Sequence, residues 1–154
     1  MSFHRKTHLR HVLHLGRKME QQAEAFYRKL AGRTRNVDVK RLCLILAEEE
    51  KDHKRVIEEK LHHWKPLPIS QKILSILDTD ARLRGLFLSP PNHDADTDEF
   101  IEYALDQEQR MVAFYMEFEN EFSHAWKKKR LNEMIDAERR HVRVWSEILS
   151  PHIG

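Results

Sequence analysis

Two short stretches of the sequence repeat the same letters at chemically useful places. EQQAEAFY, from Glu20 to Tyr27, and EQRMVAFY, from Glu108 to Tyr115, agree at five of eight positions and lie 88 residues apart (108 − 20). The same shift carries Glu50 onto Glu138 and His53 onto His141, in the contexts AEEEKDH and IDAERRH. Each half therefore offers a Glu, a Tyr seven residues on, and later a Glu-x-x-His. Residues three apart on a helix point the same way, so Glu50 and His53 can grip one site together, as can Glu138 and His141. Carboxylate oxygen and imidazole nitrogen together suit divalent transition metals.

The surroundings sharpen this reading. Glu50 lies between Leu46 and Ile57 on an apolar stripe, Glu138 between Met134 and Trp145, and Glu108 shares a face with Ala104 and Tyr115. Glu20 is expected on the flank of its stripe, beside Gly16, Ala23 and Tyr27. Four carboxylates in one core would repel until several bound protons. Two divalent cations supply four positive charges against four negative ones, with both histidines neutral. A dinuclear metal centre is therefore the least costly account of the pattern.

The elements that must position these groups are helices. Apolar residues recur at three- and four-residue steps through four segments, expected at about 7–31, 37–63, 97–121 and 124–149. Gly32 is expected to end the first, and Asp96, Thr97 or Asp98 to cap the start of the third. The short link GRTRN makes the first two helices an antiparallel hairpin, and the last two form a second. Between them runs a crossover over about 64–96, punctuated by Pro66, Pro68, Pro90 and Pro91, in which SQKILSILD has the pattern of a short helix. Two helical hairpins joined by one long crossover is the wiring of a ferritin-like four-helix bundle, so the expectation is a single all-α domain over 1–154.

Composition excludes other classes. The net charge of +2, with both signs mixed along the chain, gives no pull toward nucleic acid. The single cysteine, Cys43, excludes an internal disulfide framework, a CxxC redox pair and a four-cysteine metal knot. No apolar run is long enough to span a membrane, and the basic N-terminus lacks the apolar core of a signal peptide, so a soluble cytoplasmic setting is expected.

A Glu from each of two helices plus a Glu-x-x-His from each of the other two is the ligand pattern of ferritin-like di-iron and di-manganese bundles. On Glu20, Glu50, His53, Glu108, Glu138 and His141, with Tyr27 and Tyr115, the chain resembles the rubrerythrin-like branch of that superfamily over both hairpins. The resemblance implies a non-haem centre of two iron ions, with manganese or zinc as alternatives. Glu50 and Glu138 would bridge the irons, Glu20 and Glu108 would be terminal carboxylates, and His53 and His141 would hold one iron each. Tyr27 and Tyr115 would hydrogen-bond the carboxylates from outside. The implied activity is that of an oxidoreductase reacting with peroxide or dioxygen, in a homodimer. Two departures stand out. Rubrerythrins carry a rubredoxin-like module with two CxxC pairs, so here a separate electron-donor protein is implied. They also place a further carboxylate three residues after the third-helix glutamate, where this chain has Met111. Iron storage or delivery, ferroxidase-like, and a non-redox bundle with a structural metal are the competing functions.

Other reactive side chains read more plainly. Glu24, Glu48, Glu49 and Asp136 read as charged helix surface, and His4, His8, His11 and His14 as a solvated basic arm. Cys43, among Leu42, Leu44 and Leu46, reads as a small buried hydrophobe.

Overall fold

The computed structural model describes residues 3–63, 85–92 and 94–149; the side chains of 3–8 and 124 lie outside the description. Most of the expected crossover, including SQKILSILD, falls outside these residues. Within them are five helices: α1 (Phe3–Arg33), α2 (Val37–His63), α3 (Thr97–Glu117), α4 (Glu119–Ala125) and α5 (Lys128–Leu149).

Pairings across the bundle fix its topology. Arg17 meets Glu58 and Arg28 meets Glu48, so residue numbers rise along α1 as they fall along α2. Tyr27 meets Glu108 and Tyr115 meets Glu20, which sets α1 antiparallel to α3. His53 meets Glu138 and His141 meets Glu50, which sets α2 antiparallel to α5. It follows that α2 and α3 run parallel. A chain leaving the end of α2 must travel the bundle's length, about 40 Å for a 27-residue helix, before it can begin α3. That is the physical need for the crossover. The tyrosine–glutamate and histidine–glutamate pairings each have a counterpart 88 residues along, so an approximate two-fold relates the two hairpins.

Local chemistry sets the helix ends. Gly32 does not end α1. The helix runs through it to Arg33, and among the described residues no glycine adopts a positive φ. The turn is made instead by Asn36, whose side-chain oxygen accepts from the backbone N–H of Asp38 (3.0 Å) and Val39 (3.1 Å) and so caps α2. Of the three candidates for capping α3, Asp96 does so, accepting from the Glu99 N–H at 2.9 Å.

The third and fourth helices also differ from expectation. The helix expected over 97–121 breaks at Phe118, whose φ of −104° and ψ of 20° lie outside the helical region, and resumes as α4. The helix expected from residue 124 begins only at Lys128, because Trp126 is extended (φ −131°, ψ 160°) and Ala125 still belongs to α4. Aromatic packing accounts for both shifts. The break lets Phe122 lie against Phe114 and Tyr115 and stack on Trp126 at 5.4 Å, nearly parallel. Gly16 admits this cluster: a Cβ there would stand 3.3 Å from Ile57 Cδ1 and 3.5 Å from Phe122. Farther along α1, Phe26 packs on Phe87 and Tyr103. Phe87 holds the left-handed conformation (φ 61°), pinned by its N–H to buried Gln107 at 2.8 Å. Such strain in a non-glycine residue costs about 1–2 kcal/mol, and the burial of the Phe87 ring against three aromatics offsets it. These two aromatic clusters flank, along α1, the stretch that carries Glu20.

The basic-arm reading fails for His11, which is buried at 4% exposure within the α1 stripe. Cys43 is fully buried, and burial pushes its thiol up to about 12. No described helix is long and apolar enough to cross a membrane.

Candidate metal centre

The structure brings all six expected ligands together between the four long helices. Glu20 comes from α1, Glu50 and His53 from α2, Glu108 from α3, and Glu138 and His141 from α5. The four glutamates are 0% exposed and His141 is 2% exposed. Glu20 is thus in the core rather than on its flank, because Gly16, Glu20, Ala23 and Tyr27 continue the inner face of α1 in steps of four, three and four. The six fall into two overlapping groups, Glu20–Glu50–His53–Glu138 and Glu50–Glu108–Glu138–His141. In each, one ligand atom per residue lies within 4.8 Å of all the others. Glu50 and Glu138 belong to both groups, each of the remaining four to one.

Hydrogen bonding divides the carboxylate oxygens by role. Tyr27 donates to Glu108 Oε1 and Tyr115 donates to Glu20 Oε1, each tyrosine serving the glutamate of the other hairpin. That leaves Glu108 Oε2 and Glu20 Oε2 buried without a hydrogen-bond partner. Both oxygens of Glu50 and Oε2 of Glu138 are likewise buried without a well-aligned hydrogen bond, although His141 Nδ1 lies 3.0 Å from Glu50 Oε1 and 3.4 Å from Glu138 Oε2, while Glu138 Oε1 lies 2.9 Å from His53 Nδ1. Buried polar atoms are rarely orphaned, since each costs about 1–3 kcal/mol. Five such oxygens converging on one spot, with His141 Nδ1 among them, fit a pair of cations as their missing partner. The donor set suits the group as well: oxygen and imidazole, no thiolate.

Electrostatics tell the same story from the proton's side. Burial, reinforced by Glu138, Glu20 and Glu108, raises Glu50 well above the ordinary carboxylate range. Burial and then Glu138 push Glu108 up to about 8. Glu138 goes the other way: burial opposes its charge, but His141 and His53 outweigh burial and hold it well below the usual range. Burial would discharge the histidines, yet Glu20 and Glu138 raise His53 to about 10, and Glu138 with Glu108 and Glu49 raises His141 well above its ordinary value. Without metal, protons neutralise the cluster. Metal ligation requires deprotonated carboxylates and neutral imidazoles, so binding must release those protons.

Two further groups support the ligands. Trp145 stacks on Tyr27 and donates from Nε1 to its Oη at 3.1 Å, giving a chain from Trp145 through Tyr27 to Glu108. Glu49, read from sequence as surface, instead bonds His141 through its Oε2 and the ring's Nε2, which turns Nδ1 toward Glu50 Oε1 at 3.0 Å. This hydrogen bond holds the Glu49 carboxylate below its usual range. Neither role was visible in the repeat, because the counterparts of Trp145 and Glu49 are Ile57 and Ala137. Of the other nearby acids, Glu48 and Asp136 are exposed, and Glu24 pairs with Arg28 and Lys54.

A family model described as Rubrerythrin matches residues 11–149, which span both hairpins and all six candidate ligands. Comparison with curated proteins and with solved structures finds no match.

Proposed function

The chain belongs to the rubrerythrin family, an all-α, ferritin-like family that implies iron binding, and on that premise we propose that it is a non-haem di-iron oxidoreductase. Its substrate would be peroxide or dioxygen, and a separate protein would donate electrons. A homodimer belongs to the same proposal. One observation carries it: six ligand groups converge in two sets that share Glu50 and Glu138, with five carboxylate oxygens buried without a well-aligned hydrogen bond.

Glu20 and His53 would hold one iron, Glu108 and His141 the other, with Glu50 and Glu138 between them. When bound, the irons would supply the redox equivalents and Lewis acidity for reducing an O–O bond. The chain's own residues do the rest. Tyr27 and Tyr115 each occupy one oxygen of a terminal carboxylate and so leave the other oxygen for metal. Glu50 presents both oxygens, as a shared ligand must. Aromatic rings on both sides keep the carboxylates away from bulk water, which strengthens every charge interaction there.

A second reading, iron held for storage or delivery without turnover, uses the same ligands. The buried Met111 favours it, standing where the resemblance leads one to expect a further carboxylate.

Metal content after anaerobic reconstitution with ferrous iron tests the centre, and the absorption spectrum before and after peroxide tests the chemistry. The expected result is about two irons per chain in the wild type, both lost in Glu50→Ala and in Glu138→Ala. A spectral change on adding peroxide would accompany it. Full iron content in either variant would sink the shared-ligand assignment. Iron uptake with no response to peroxide would favour the storage reading.

A further inference from the structure

The repeat makes the two halves of the centre alike, so places where they differ are informative. Glu49 bonds His141 Nε2, and its counterpart beside His53 is Ala137. Among the described residues, His53 bonds through Nδ1 alone, to Glu138 at 2.9 Å and toward Glu20 at 3.5 Å. A carboxylate on the far nitrogen of a ligating histidine fixes the ring's orientation and raises its basicity, and removing one typically weakens metal binding about 10–100-fold. His141 has that support and His53 lacks it.

The halves also differ in access. A cavity of about 470 Å³ lies between α2 and α5, with Glu49, His53, Val56, Met134, Ala137 and Arg140 among its lining residues. His53 lines it and is 12% exposed at the side chain, whereas His141 does not line it and is 2% exposed. Ala137, the counterpart of Glu49, is among the residues that line it.

We propose, resting on the di-metal reading above, that the two metal positions are inequivalent. The His141 position is closed and tightly held because Glu49 supports it. The His53 position is the exchangeable one, through which metal ions and small oxidants reach the centre by way of the α2–α5 cavity. Glu49 is a positioning residue acting through His141, and Ala137 keeps the entrance open.

Cobalt(II) titration of the full-length, metal-free chain, followed by removal with excess chelator, tests this with no assay of turnover. Two binding steps and two removal phases are expected. His141→Ala should abolish the tighter step and His53→Ala the weaker. Glu49→Ala should weaken the tighter step about 10–100-fold while leaving the weaker one in place, and Glu49→Gln, which still accepts a hydrogen bond, should recover part of the loss. Ala137→Leu should slow the fast removal phase and spare the slow one. Circular dichroism melting of each metal-free variant separates these effects from misfolding. Two ions of equal affinity, a Glu49→Ala effect confined to the weaker step, or an Ala137→Leu variant with unchanged fast removal would overturn the inference alone. A wild-type chain that takes up no metal would overturn the di-metal reading along with it.

Discussion

Tyr27 and Tyr115 show how much a single hydroxyl does in this core. Both are fully buried, and burial together with the adjacent glutamates raises both phenols, so they remain donors throughout the useful pH range. Tyr27→Phe removes the short hydrogen bond to Glu108 Oε1 and the acceptor of Trp145 Nε1, whereas Tyr115→Phe removes only the short hydrogen bond to Glu20 Oε1; His141 and His53 Nδ1 stay 3.4 and 3.5 Å from these two oxygens. Each unsatisfied group costs about 1–3 kcal/mol, so both variants should destabilise the chain and Tyr27→Phe should cost about 1 kcal/mol more. Urea unfolding of the two variants checks the order; equal losses would mean that the Trp145 bond contributes nothing. Glu50 behaves in the opposite sense. Its carboxylate is held in the core at the expense of stability, so Glu50→Gln should stabilise the metal-free protein by about 1–3 kcal/mol while removing the stabilisation that metal confers. A melting-temperature comparison with and without ferrous iron reads both effects. The six candidate ligands were legible from their types and spacing because the repeat preserved them in matched pairs. Glu49 was not, because its role depends on a partner 92 residues away and its own counterpart is alanine.

Helix boundaries follow local chemistry where one residue decides them and packing where several do. Asn36 and Asp96 cap α2 and α3 with their own side chains, the kind of signal that a sequence displays openly. Asn36→Ala removes the acceptor for two backbone N–H groups and should cost about 0.5–2 kcal/mol. Gly32 misleads for a physical reason: it has the residue type of a helix stop, but in the last turn of α1 it keeps a negative φ and lies in open space. Gly32→Ala should therefore stabilise the chain by up to about 1 kcal/mol through helix propensity and reduced freedom of the unfolded chain. Denaturant unfolding that showed a loss instead would mean that the helix ends at this glycine in solution. The break at Phe118 had no local marker at all. Phe118 has no special turn chemistry, and the helix yields there because Phe122 finds better packing against Phe114, Tyr115 and Trp126.

Buried charge makes the stability of the entire bundle depend on protons and metal together. His53 is raised from 6.5 to about 10 and Glu108 from 4.5 to about 8, so the folded metal-free chain binds more protons than the unfolded one. The share of stability tied to His53 is fully present below pH 6.5 and lost as the pH rises through about 10. The share tied to Glu108 is present below pH 4.5 and lost through about 8. Glu138 is lowered and works in reverse, contributing above its ordinary 4.5 and failing in stronger acid. Calorimetry should accordingly show the metal-free melting temperature falling between about pH 6.5 and 10, and iron should abolish that fall by replacing the protons. A metal-free melting temperature that rises over this interval would contradict the proton-filled cluster. Residue types, their 3.6-residue periodicity and an 88-residue repeat were enough to predict four long helices, two hairpins and six candidate ligand side chains, because each rests on short-range geometry along a helix. Other features needed the folded chain: that each tyrosine serves the opposite hairpin's glutamate, that Glu49 supports only one histidine, and that a cavity opens beside the other. These are contacts between helices, and their partners are set by how four helices pack rather than by any spacing along one of them.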